Sequence, residues 1–184
     1  MDQYYEILRS WQTFYFTIGG ASATLVGLMI VALSLGIKFM ERSNTEDVNN
    51  FATPSIVYFV TTLLIAGTML VPNMPPLALA VLLFAGGGFG LLRLLWYVRG
   101  VLHYVRQYHD FKVWDWIFEV IFPPIGYLLI LVAAVGFAIS QWTLGLMSLW
   151  LATLIIIVCG IANTWSIVMT VVDLRPDSDS ANDA

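Results

Sequence analysis

Five stretches of this chain are apolar over lengths close to what hydrocarbon demands, and they limit the fold more than any other feature. A bilayer core about 30 Å thick needs roughly 20 apolar residues at about 1.5 Å of helical rise each. The first stretch runs from about 14 to 37, with no Asp, Glu, Lys, Arg or His between Arg9 and Lys38. The others run from about 54 to 71, 77 to 98, 117 to 139 and 145 to 172. Pro54 is expected in the first turn of the second span, where its missing N–H is harmless. PNMPP at 72–76 breaks the chain before the third. The fourth span is the shortest, and reaches full length only if Trp116 to Phe122 joins it across a kink at Pro123-Pro124. Only 11% of the 184 residues are charged, against about 25% in soluble domains, too few to cover a water-facing surface. The expectation is an all-α integral membrane bundle of five helices, a single unit over 1–172, followed by an acidic disordered tail over 173–184.

Short connections at 72–76 and 140–144 make spans two and three, and spans four and five, expected antiparallel neighbours. With five crossings the N-terminus and both short loops share a side that carries only Arg9. The other side carries Lys38, Arg42, Arg99, Arg106, Lys112 and Arg175. Basic residues stay inside, which predicts the N-terminus outside and the C-terminus in the cytoplasm. Tyr4, Tyr5, Trp11, Phe14, Tyr15 and Trp142 are expected as an outer aromatic belt, with Trp96, Tyr97, Trp114 and Trp116 flanking the inner loop. MDQYYEILRS has neither the basic start nor the apolar core of a cleaved leader, so the first span is expected to remain. Basic residues form no soluble patch that would hold nucleic acid. Cys159, the only cysteine, reads as a small buried hydrophobe.

The first span opens on small residues. Gly19, Ala23 and Gly27 recur every fourth position, as do Gly20 and Thr24, and such spacing lets two helix backbones approach. The alternative is a pore lined by the hydroxyls of Thr17, Ser22, Thr24 and Ser34 together with the span-three glycines at 86, 87, 88 and 90. Arg93 is the one clear charge inside a span, set to snorkel toward the headgroups, or to meet Asn163 if it turns inward. Asn163, Thr164, Ser166 and Thr170 are expected to hydrogen-bond between helices.

WYVRGVLHYVRQYHD, after span three, has apolar and basic faces and reads as an amphipathic cytoplasmic helix that continues span three and bends along the membrane surface, its basic face meeting anionic headgroups. His103 and His109 are spaced too unevenly for one helical face, so no metal site is expected. Asp115 and Glu119 share a face and are the sole candidates for acid–base chemistry, though a hydrated helix start explains them as well. No cofactor is implied.

GGASATLVGLMIVALSL, FATPSIVYFVTTLLIAGTMLVP, DWIFEVIFPPIGYLL and GIANTWSIV occur in an order that resembles a family of small uncharacterised multi-pass bacterial inner-membrane proteins. Members of that family often have His where this chain has Tyr58, and Asp where it has Ser166. The resemblance implies an inner-membrane helical bundle and no activity. The candidate helix-packing or functional positions are Gly19, Gly20, Ser22, Ala23, Gly27, Arg93, Asn163 and Trp165. The preferred role is non-enzymatic assembly in the bilayer with itself or a partner membrane protein; a channel or transporter is the alternative, and an interfacial enzyme using Asp115 and Glu119 the third. Reporter fusions at Asn50, Asn73, Tyr108 and Thr143 should alternate, with Asn50 and Tyr108 cytoplasmic. Asn50 and Asn73 reporting from the same side would refute the five-span count.

Overall fold

The computed structural model describes residues 2–40, 45–105, 118 and 121–173, and every element among them is helical. The helices are α1 (Asp2–Ser10), α2 (Gln12–Met40), α3 (Thr45–Met69), α4 (Pro76–Val105), α5 (Phe122–Ala138) and α6 (Trp142–Asp173). Three contain windows long and apolar enough to cross a membrane: Gln12–Val31, Pro76–Trp96 and Trp142–Trp165. Pro54–Met69 and Phe122–Ala138 are shorter apolar helical segments. Large apolar side chains point outward along them, Phe16, Leu64, Phe89 and Trp96 among them.

Several boundaries depart from the sequence reading. Pro54 lies well inside α3 rather than in its first turn, because the helix begins upstream at Thr45. The carbonyl four residues earlier therefore has no N–H to receive. α4, by contrast, runs on from span three to Val105, so the amphipathic segment starts as a continuation of that span, as its spacing predicts. Residues 106–117, the rest of that segment, lie outside the described residues, as does the tail from 174. α5 begins at Phe122 and holds Pro123 and Pro124 in its first turn, where an absent N–H leaves no bond unmade.

Neighbours follow close approach rather than loop length. Across the bundle the helices pack in the order α2, α3, α6, α5, α4. The expected α5–α6 pair is the tightest, whereas α3 and α4 meet only sparsely despite their short connection. Glycines explain the difference. A Cβ on Gly136 would stand 2.9 Å from the Gly145 nitrogen, so α5 and α6 touch backbone to backbone. One on Gly126 would lie 2.7 Å from Ile156, and one on Gly160 2.6 Å from the Phe59 ring. Gly90 leaves room for the ring of Tyr127, and Gly87 for Ile130, which brings α4 onto α5. The span-three glycines thus divide: Gly87 and Gly90 pack, while Gly86 and Gly88 face open space.

The α5–α6 turn is equally tight. Ser140 adopts a left-handed φ of 62°, and Gln141 N–H donates to the Gly136 carbonyl at 2.8 Å while Ser140 N–H donates to Phe137 at 3.4 Å. This pair of bonds closes the helix end that glycine more often closes.

The apolar pattern marks no separate helix before span one, yet α1 is one. It lies across one end of the bundle with Tyr4 and Leu8 buried and Gln3, Glu6 and Arg9 exposed. The Tyr4 hydroxyl donates to the Met74 carbonyl at 3.1 Å, and its ring sits 4.9 Å from that of Trp142. Burial, with Tyr5 beside it, pushes the Tyr4 phenol up to about 12. Its protonated form is therefore the one the fold favours, and this contribution fades only as pH rises from about 10 through 12. Tyr4 and Tyr15 are core residues here, not members of an outward-facing belt, because α1 folds back over them.

Gly136→Ala should lower the stability of the detergent-solubilised protein by about 2 kcal/mol, since the new methyl meets backbone that cannot step aside. Gly86→Ala should change it by less than about 0.5 kcal/mol. Equal thermal shifts for the two variants would refute the glycine-contact account.

Candidate functional site: the two faces of the peripheral helix and the polar interior

α2 is the edge helix: 17% of its apolar window is buried, against 56% for α6. Its inward face is Tyr15, Gly19, Ser22 and Met29, all buried, with Val26 half-buried between them. Gly19 lets α2 close on α3, since a Cβ there would stand 3.1 Å from that of Ala66.

The seam expected at Gly19, Ala23 and Gly27 is consequently split. Steps of four residues advance the helix by about 40° each, so Gly27 is turned by about 80° from Gly19. Gly19 packs inside the chain, whereas Ala23 and Gly27 are exposed. The outward face has a different spacing. Thr17, Gly20, Thr24, Gly27, Val31 and Ser34 follow steps of three and four, and all six are exposed. Among the described residues nothing stands within 4 Å of a Cβ placed on Gly20 or Gly27. A 3–4 alternation is the period of helices that supercoil about one another. It was present in the sequence, hidden beneath the more familiar spacing of four.

The hydroxyls on this face are already satisfied. Thr17, Thr24 and Ser34 donate to the carbonyls of Thr13, Gly20 and Ile30 on their own helix, at 2.8, 2.9 and 2.7 Å. They can therefore meet lipid or another helix without an orphaned donor. Of the four hydroxyls expected to line a pore, only Ser22 turns inward.

Inside the bundle, Thr62 and Thr153 are buried and likewise bond back to Tyr58 and Leu149. Tyr127 reaches from α5 to Thr61 on α3, hydroxyl to hydroxyl at 3.2 Å, bridging the gap beside the sparse α3–α4 contact. Ser22, Ser55 and Tyr15 are buried, and among the described residues their hydroxyls have no hydrogen-bond partner. Phe59 rests on Gly160, so one turn further along these antiparallel helices Ser55 of α3 and Asn163 of α6 reach the same level, both buried. Neither Ser55 nor Tyr127 stood out in the sequence, because an isolated Ser or Tyr in an apolar run does not reveal its facing.

Arg93 and Asn163 are not brought together. Arg93 is exposed on α4, Asn163 is buried on α6, and α5 packs between the two helices. Trp165, in the last third of α6, is 61% exposed and makes no part of the packed interior. The Ser166 and Thr170 side chains, Asp115, Glu119, His109 and the His103 side chain lie outside the described residues. The buried polar groups among the described residues are hydroxyls, one amide and the Cys159 thiol, which can exchange hydrogen bonds. No family model, curated protein or solved structure matches this chain.

Ser55→Ala should leave thermal stability unchanged or raise it by up to about 1 kcal/mol, since it deletes a buried hydroxyl that has no partner. Tyr127→Phe should lower it by about 1 kcal/mol through loss of the bond to Thr61. A destabilising Ser55→Ala would show that the hydroxyl has a hydrogen-bonding role.

Proposed function

We propose that this chain is a five-crossing, non-enzymatic membrane protein that acts by assembling with a second copy of itself through the outer face of α2. The carrying observation is the exposed seam Thr17, Gly20, Thr24, Gly27, Val31 and Ser34 on a helix that the rest of the chain barely covers. Without a hydrophobic drive in lipid, helices associate where small residues let backbones approach, and this seam offers that over five turns. A face of one shape and no charge fits its own copy about a two-fold axis. Gly19 and Ala66 show the same kind of approach already made inside the chain.

The three long apolar windows and the two shorter apolar segments support five crossings. α5 rises about 25 Å over its 17 residues, close to a hydrocarbon core of about 30 Å. The basic residues favour an outside N-terminus and a cytoplasmic C-terminus, and the family resemblance favours a bacterial inner membrane. A homo-oligomeric channel is the second reading: Thr17, Thr24 and Ser34 lie on the seam, so several copies arranged around α2 would bring their hydroxyls to a shared axis.

The test is cysteine crosslinking in a Cys159→Ala background. Gly20→Cys and Gly27→Cys should each give a disulfide-linked dimer in membranes, whereas Leu64→Cys, exposed on α3, should not. Gly27→Leu should abolish the Gly20→Cys crosslink while leaving the monomer folded, since that position opens onto empty space. Absence of both crosslinks together with a monomeric purified protein would refute the proposal.

A further inference from the structure

The second feature on the outer surface is a short ladder on α4. Arg93, Trp96 and Arg99 are spaced three apart and all exposed, Trp96 by 80%. Steps of three turn a helix back by about 60° and rise about 4.5 Å, so the three side chains climb one flank with their outer members about 9 Å apart along the axis. The apolar window of α4 ends at Trp96. Arg93 thus lies one turn inside the apolar region, Arg99 one turn beyond it, and the indole at its edge. Below them Phe89 and Leu92 are exposed on the same helix. α4 carries no acidic residue along its whole length that could neutralise either arginine.

We propose that the Arg93–Trp96–Arg99 ladder binds the phosphate headgroup of an anionic phospholipid. A guanidinium facing lipid needs a counter-ion, and its planar fork matches a phosphate with two parallel hydrogen bonds. Arg93 reaches up to the headgroup level along its apolar stem, and Arg99 approaches the same phosphate from the water side. The Trp96 indole sits at the glycerol level, its ring in the apolar zone and its N–H available to an ester oxygen. Phe89 and Leu92 give the acyl chains an apolar wall. A free phosphate would find the arginines but not this wall, so the ligand is a lipid. The inference rests on α4 crossing the membrane and is independent of whether α2 pairs.

The experiment measures lipid retained on the purified, detergent-solubilised full chain by native mass spectrometry, with phosphatidylglycerol and phosphatidylcholine as probes. Wild type should retain phosphatidylglycerol over phosphatidylcholine at least about tenfold. Arg93→Gln and Arg99→Gln should each reduce that preference about fivefold, and the double variant should remove it. Arg93→Lys with Arg99→Lys should keep part of it, because charge remains while the fork is lost. Arg9→Gln, at the other end of the bundle, should change nothing. Millimolar glycerol phosphate should not displace the lipid; displacement would mean that a phosphate site, not a lipid site, is present, and would overturn the assignment. An unchanged preference in a folded Arg93→Gln, Arg99→Gln protein would overturn it too. The Gly27→Cys crosslink, measured on the same double variant, should persist, so failure here is distinguishable from failure of the α2 pairing.

Discussion

Close approach of helix backbones at glycine is the contact on which this bundle depends. Where helices are apolar all round, burying one more Leu gains little over leaving it in lipid, so shape must decide which faces meet. Gly136 against Gly145 fixes α5 on α6, Gly160 seats Phe59 and so fixes α3 on α6, and Gly90 seats Tyr127 and fixes α4 on α5. These contacts explain why α3 and α4, joined by a short loop, barely touch. Tyr127 fills the space through Gly90 and ties to Thr61 instead.

The same physics gives α2 its two characters. Toward α3 it presents Gly19 and Ser22 between Tyr15 and Met29; away from the bundle it presents a second line of small residues that no described residue covers. Threonine and serine on the outer line donate to their own helix, which makes them tolerable in hydrocarbon and keeps them from committing to any one partner. Ser22 and Ser55, buried and without a hydrogen-bond partner among the described residues, sit on the inner side, where an unsatisfied hydroxyl is least expected.

At the N-terminal end, α1 closes over the bundle and joins two connections that are distant in sequence. Tyr4 reaches the Met74 carbonyl in the α3–α4 loop while its ring stacks near Trp142 at the start of α6. Aromatic residues near membrane ends are usually read as headgroup anchors, and Trp96, at the end of the apolar window of α4, is exposed as such a role requires. Tyr4 and Tyr15 do not, since the fold-back of α1 covers them.

The sequence by itself determined the helical class, the apolar segments and their approximate limits, because run length and charge exclusion are properties of consecutive residues. It also marked Arg93 as a surface arginine, since a charge near a span end has an easy route to water. It did not determine the start of α3 ahead of Pro54, because a proline disfavours a helix running through it without forbidding one. Nor did it assign Gly19, Ala23 and Gly27 to their separate faces. A spacing of four drifts around the helix, and only the position of α3 shows where inward ends and outward begins. Which glycines pack, which hydroxyl is buried and which helices are neighbours were decided by the tertiary structure, because each depends on the shape of a second helix that no local pattern contains.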